Sequence, residues 1–230
     1  MPVAFFESGD AEYIDTENLN APLIVVLMDA IGIREELREV ARSLNELGYC
    51  VALPNLYYRE GRCEDMDFST PDGQQKVMSL YTGLSHEMVR ADMKYLLASL
   101  AHDQPVGLLG YCMGGANALV LAGTYPKFIK AAAAIHPGGI VSDAADSPDK
   151  MAPAAQGELY IAIADEDPYA TAEQVAVLDS ALKQAGVSYE LECYQGAAHG
   201  FSFKSLPSYN VEAAARYWQA TVALFERTLS

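Results

Sequence analysis

Positive charge is scarce in this chain: 15 lysines and arginines stand against 31 aspartates and glutamates, a formal net charge of −16. A surface that acidic repels phosphate backbones and anionic lipid, which argues against nucleic-acid and membrane-surface partners. It leaves the local charge of a pocket open. Long apolar runs are also missing, and none approaches the roughly 20 residues that span a bilayer. The opening residues, MPVAFFESGDAEY, have no basic n-region and do not read as a signal peptide. Cysteine is limited to Cys50, Cys63, Cys112 and Cys193, with no CxxC pair and no histidine at metal-ligand spacing. No metal is expected. Reduced thiols and no targeting signal imply the cytoplasm, and Cys50 and Cys193, in strand-like runs, read as small buried thiols.

What is present is an ordinary globular composition, 51% hydrophobic and 20% charged over 230 residues. That suits one domain over residues 1–230 with a large core. Apolar strand-like and amphipathic helix-like segments alternate. PLIVVLMD (22–29) is a continuous apolar run, as expected for a strand covered on both faces. Residues 34–47 carry Leu37, Val40, Ala41, Leu44 and Leu47 at helical spacing, stopped by Gly48. CVALPNL (50–56) reads as a strand, and a polar loop follows to about residue 73. Residues 85–101 read as a helix, PVGLLG (105–110) as a strand, ANALVLAGTY (116–125) as a helix, and AAAAIHP (131–137) and ELYIAIAD (158–165) as strands. A helix over 171–185, a strand YELECYQ (189–195) and a helix over 211–228 complete the series. The expected fold class is α/β, a mostly parallel, doubly wound sheet with helices on both faces. Ligands in such sheets collect beyond the carboxyl ends of the strands.

Gly110-Tyr111-Cys112-Met113-Gly114-Gly115 stands at such an end. Its form, G-x-C-x-G-G, is a nucleophile elbow with cysteine in place of serine. A sharp strand-to-helix turn would hold the thiol at a helix N-terminus, whose partial positive charge favours a thiolate. The plainer reading is a Gly-rich turn around a buried cysteine, but the flanking apolar runs come in the order an elbow requires. The base should follow the last strand, where His199 sits in Gly196-Ala197-Ala198-His199-Gly200-Phe201. His86 and His102 flank or sit on a surface helix and read as solvated. His136 ends a strand and reads as a pocket or structural residue.

An acid must orient the imidazole. Asp165, Glu166 and Asp167 all qualify by type. The usual turn puts the acid three residues past the small residue closing the strand, here Ala164, which favours Asp167, with Asp165 as the fallback. Nucleophile, acid and histidine then follow the α/β-hydrolase order. Oxyanion donors are expected from the backbone N–H of Met113 and, in the loop after the 22–29 strand, of Ala30.

The segments LMDAIGIREELREVARSLNELGYCVALPNLYYR, VGLLGYCMGGANALVLAGTYP, DEDP and AAHGFSFKSLPSYNVEAAARYW together make the chain resemble the dienelactone hydrolase family over nearly its whole length. The resemblance implies a single-domain α/β-hydrolase fold and a Cys–His–Asp triad carried onto Cys112, His199 and Asp167. The substrate it implies is a small-molecule ester or lactone, of the dienelactone type or another activated small ester, cleaved through a thioester. Two departures stand out. Family enzymes carry a Glu that helps activate the cysteine where this chain has the shorter Asp29. They also use arginines for the substrate carboxylate, one of them shortly after the catalytic histidine, whereas that neighbourhood here reads Phe201-Ser202-Phe203-Lys204, without an arginine. Lys204 is a point charge rather than a bidentate fork, which argues against the carboxylated dienelactone as natural substrate. Tyr57, Tyr58 and Arg59 are either pocket residues or a loop anchored by aromatic packing.

Three competing readings remain in the sequence: a thioesterase or acyl transferase on the same triad, a non-catalytic binding protein on the hydrolase fold, and redox sensing at Cys112. No cofactor is expected, because the elbow lacks the G-x-G-x-x-G spacing of a dinucleotide loop. A monomer or small homo-oligomer is expected.

Overall fold

A computed structural model describes every residue except 1, 2, 7, 8, 17, 19, 62, 102, 103 and 230, with the backbone alone for residues 3 to 6 and 9. His102, read above as solvated, lies outside the described residues. The chain groups into two compact units, residues 1–106 and 107–230.

The first unit opens with β1 (Val3–Phe6) and β2 (Gly9–Ile14), an antiparallel pair that the composition of the opening residues did not reveal. Then come β3 (Leu23–Leu27), α1 (Glu35–Glu46), β4 (Cys50–Pro54), a 3-10 turn at Tyr58–Glu60, α2 (Pro71–Gly83) and α3 (His86–Leu100). The strand order here is β1-β2-β4-β3, with β2 antiparallel and β3 parallel to β4. Every residue of β3 and β4 is buried, as a strand without polar alternation requires. In α1 the buried residues are Leu37, Ala41 and Leu44, and Gly48, at φ 96°, ends the helix by donating to the Asn45 carbonyl at 2.8 Å. Leu47, expected on the apolar face, is 48% exposed just past the last turn.

The stretch read as loop to residue 73 is corrected: α2 starts at Pro71. Thr70 caps it by accepting from the Gly73 N–H at 3.1 Å, and Pro71 occupies the first turn, where its missing N–H costs nothing. The helix buries only Val77 and Leu80. So narrow an apolar stripe hardly registers as a period.

The second unit holds β5 (Val106–Tyr111), which begins at the boundary, then α4 (Met113–Thr124), β6 (Ile129–Ile135), the short α5 (Pro148–Met151), a 3-10 turn at Ala152–Ala154, β7 (Glu158–Glu166), α6 (Ala172–Ala185), β8 (Tyr189–Ala198) and α7 (Val211–Thr228). Its strand order is β5-β6-β7-β8, and the β6–β7 and β7–β8 pairs are parallel. All of α4 from Met113 to Gly123 is buried. A capping box of Thr171 and Gln174 starts α6, and Gly186 at φ 69° ends it. The α/β class is the one expected, with antiparallel pairing at β1–β2 and β2–β4.

Cys193 differs from its expected burial. β8 is the outermost strand of its unit, and Tyr194 points inward at 3% exposure, so strand alternation turns its neighbour Cys193 outward to an exposed position.

Among the described residues, no helix is long and apolar enough to cross a membrane.

Candidate active site

β5 runs directly into α4 through a single residue, Cys112, at φ 51° and ψ −114°. An L-residue held there costs roughly 1–3 kcal/mol and persists only where its surroundings over-determine it. The surroundings are visible. The Cys112 N–H donates to the Ile135 carbonyl at 3.0 Å, and its own carbonyl accepts from Ala116 at 3.1 Å and Gly138 at 3.3 Å. Close approach of strand and helix depends on Gly110, where an added Cβ would lie 2.0 Å from the Gly114 carbonyl oxygen. Gly115 is also close-packed, though less severely, with Pro137 carbons 3.1 and 3.2 Å from an added Cβ. Beneath the elbow, the fully buried Tyr111 packs against Phe203, ring centroids 4.7 Å apart. Cys112 is partly exposed, whereas Cys50 and Cys63 are buried. Met113 opens α4, so its N–H belongs to the first turn, whose N–H groups point out of the helix end.

His199 follows β8 in a turn that closes on Gly200, at φ 86°. Its Nδ1 lies 2.8 Å from Asp167 Oδ2, and the Asp167 side chain is 1% exposed. The other Asp167 oxygen accepts from the Tyr169 N–H at 2.8 Å. Asp165 is engaged elsewhere: its carboxylate is exposed and accepts from the Gly196 N–H at 3.1 Å and Gln195 Nε2 at 3.3 Å. The register shift of β7 between Ala164 and Glu166 separates the two roles, one aspartate turned to the β8 backbone and the other to the imidazole.

His199 Nε2 is buried and has no hydrogen bond of ordinary geometry among the described residues. Cys112 nevertheless acts on the ring. Burial, the largest influence, depresses the imidazole pKa, but hydrogen bonding and charge from Asp167 and Cys112 outweigh it and push the pKa up to about 10. These influences favour the imidazolium form at neutral pH. Because its folded pKa lies above the unfolded value, the stability His199 contributes is fully present below about pH 6.5 and is lost as pH rises through about 10. Urea melts of the wild type and His199→Ala between these limits are expected to converge as pH rises. A gap that widens with pH would contradict the imidazolium.

Two further rings pack against His199. His136 lies 5.1 Å away at 65° and Tyr169 4.8 Å away at 64°. His136 is 1% exposed, has φ 38°, and its Nε2 hydrogen-bonds with Ser202 Oγ at 2.7 Å. Phe201 is wholly buried and stacks on Tyr194 at 5.1 Å, so its ring is part of the core behind the site. Lys204 is exposed in the turn that follows.

The remaining candidates belong to the first unit. Asp29 is 4% exposed and meets Arg34 through two 2.8 Å contacts, while its Oδ1 also accepts from the Ile31 N–H at 3.0 Å. The Ala30 carbonyl accepts from the Tyr57 hydroxyl at 3.0 Å, and Tyr57 is 3% exposed. Tyr58 donates to Asp92 at 3.1 Å, and Arg59 holds the same carboxylate at 2.7 and 2.8 Å with its guanidinium 4.3 Å over the Tyr58 ring.

Sequence reasoning missed Arg34, Ser202 and Tyr169. The first two are ordinary polar residues whose partners only folding brings near. Tyr169, two positions past Asp167, had the one available signal, a large aromatic in a turn beside the acid. No group of three or more His, Cys, Asp or Glu among the described residues is arranged to hold a metal ion.

A family model described as the dienelactone hydrolase family matches residues 10–229. A Synechocystis sp. protein provisionally named carboxymethylenebutenolidase is 30% identical over 219 residues, covering 90% of this chain and 87% of its own. The carboxymethylenebutenolidase of Rhodococcus opacus is 29% identical over 212 residues, covering 90% and 81%. Among solved structures, a protein of Klebsiella pneumoniae provisionally named dienelactone hydrolase superposes with a TM-score of 0.82 at 24% identity, covering 95% of this chain and 93% of that one. The fold is thus the α/β-hydrolase fold.

Proposed function

This chain belongs to the dienelactone hydrolase family, and from that premise we propose that it hydrolyses a small activated ester or lactone through a thioester on Cys112, with His199 and Asp167 as acid–base and orienting partners. The observation that carries the reading is the His199 imidazole, 2.8 Å from Asp167 and driven up to a pKa of about 10 in part by Cys112.

The charge state suits the first half-reaction. Cys112 Sγ attacks the carbonyl carbon while the N–H of Met113 stabilises the oxyanion. Collapse breaks the C–O bond, and the departing oxygen takes the Nε2 proton of His199. The thioester that remains carries no charge on sulfur. One of the causes that raised the His199 pKa has then gone and burial weighs against the charged ring, so the neutral imidazole can act as base. It removes a proton from water, the hydroxyl adds to the thioester, and collapse returns the sulfur as thiolate beside a re-protonated imidazole, releasing the carboxylic acid. Asp167 holds Nδ1 throughout.

A thiolate leaves more readily than an ordinary alkoxide, so attack on an unactivated ester tends to reverse. Enol lactones and aryl esters, with stabilised leaving groups, escape that reversal. Cytoplasmic residence is part of the same reading, since the nucleophile must stay reduced.

Rapid mixing with p-nitrophenyl acetate is expected to give a burst of p-nitrophenol and an acetylated protein by intact mass, the acetyl group mapping to Cys112. Turnover without any adduct on Cys112 would overturn the thioester. Transfer of the acetyl group to an added thiol faster than to water would favour the acyl transferase reading instead.

A further inference from the structure

We propose that Tyr169 is a specificity-determining residue, its ring and the His199 imidazole forming a platform for a flat, unsaturated leaving group such as an aryl or enol fragment. The proposal rests on the hydrolase reading above, since it concerns the group that departs from the carbonyl.

Tyr169 is a large aromatic side chain left 59% exposed, yet its backbone is tightly held. Its N–H donates to Asp167 Oδ1 at 2.8 Å, and its carbonyl accepts from the Gly139 N–H at 2.8 Å. Gly138 makes room beside it: an added Cβ would lie 3.1 Å from Tyr169 Cβ and 3.6 Å from His199 Cε1. The acid that orients the imidazole therefore also fixes the residue whose ring lies 4.8 Å from it. Of the two rings packed on His199, His136 is 1% exposed and closed to a ligand, whereas Tyr169 is open to one.

Proton delivery determines what meets that ring. The departing oxygen must come within hydrogen-bond reach of His199 Nε2 to take its proton. Whatever the oxygen carries is thereby brought beside the imidazole, against which Tyr169 presents an exposed ring. Aromatic rings favour offset or edge contact at centroid separations of 4.5–7 Å, a range that a planar fragment on this platform can satisfy. A saturated leaving group offers no ring face or edge and gains only from burial.

The test compares phenyl acetate with trifluoroethyl acetate, which share an acyl group and differ in whether the activated leaving group is flat. Tyr169→Ala is expected to lower the ratio of their kcat/KM values by about three- to tenfold, and Tyr169→Phe to keep it within about twofold of the wild type. Equal losses on both esters would assign Tyr169 a structural role and overturn the proposal. A second measurement needs no turnover: phenol should shield Cys112 from iodoacetamide, and Tyr169→Ala should need several-fold more phenol for the same protection. Unchanged protection overturns the platform. Protection that depends on Tyr169 in a protein hydrolysing neither ester would support the platform and defeat the hydrolase reading, so the two fail separately.

Discussion

Cys112→Ala is expected to abolish ester hydrolysis, lowering kcat for p-nitrophenyl acetate by about a thousandfold or more, with the folded circular-dichroism spectrum retained. The size follows from the chemistry. The proposed cycle opens with attack by Sγ and closes with its release, so removing it deletes the nucleophile and leaves only oxyanion stabilisation and binding. Removing the sulfur also takes away one of the causes that raise the His199 pKa, while the Asp167 contact and the burial of the ring remain. The imidazole of Cys112→Ala is therefore expected to titrate below that of the wild type, a shift readable from its ring protons by NMR. Substantial activity in this variant would remove Cys112 from the reaction. An unchanged His199 titration would mean that the sulfur and the ring do not interact.

Gly110→Ala is expected to cost at least about 3 kcal/mol of stability, at the upper end of overpacking substitutions. The added methyl would sit 2.0 Å from the Gly114 carbonyl oxygen, 2.4 Å from its carbon and 2.7 Å from the Gly115 nitrogen. All three are backbone atoms of a buried helix and cannot swing aside as a flexible side chain would. Relief requires α4 to move off β5, which also moves Cys112 away from the Ile135 carbonyl and from the imidazole. The melting temperature should fall by about 6–12 °C, and activity should drop with it even where the protein remains folded. Gly48→Ala gives a useful contrast, because an added Cβ there meets nothing within 4 Å and the cost comes from the φ of 96° alone. Thermal melts of the two variants separate crowding from backbone strain, and a Gly110→Ala protein as stable as the wild type would mean that strand and helix can part freely.

The elbow was legible in the sequence because its physics is local. A thiol on a one-residue turn between buried strand and buried helix needs glycines at fixed offsets, and Gly110, Gly114 and Gly115 announce them. The last helix and the span of α6 were legible for the same reason: apolar spacing and the glycine that stops a helix act within a few positions of each other. α2 escaped because its burial rests on two residues, Val77 and Leu80. β1 and β2 escaped because β1 is an apolar run of only four residues and β2 carries Asp10 and Glu12, and the β4 partner of β2 lies some forty residues further along the chain.

The site was partly legible. Asp165 and Asp167 are the same residue type two positions apart at a strand end, and composition cannot rank them; the position of the small Ala164 offered only a turn rule. The register shift in β7 and the contacts from Gly196 to Asp165 and from His199 to Asp167 separate them in space. Asp29 matched a family position by alignment of residues, but the bidentate partner it has in Arg34 follows from a turn whose geometry the letters do not carry.

By itself, the sequence determined the α/β class, the elbow with its cysteine and the histidine that follows the last strand, because periodicity, small-residue spacing and chain order are properties of neighbours along the chain. Only the tertiary structure decided which aspartate meets the imidazole, that Cys193 faces outward, and that Tyr169 lies open against the ring. Those outcomes depend on register and on contacts between residues tens of positions apart, where the energy of a 2.8 Å hydrogen bond or a ring contact exists only after the chain has closed on itself.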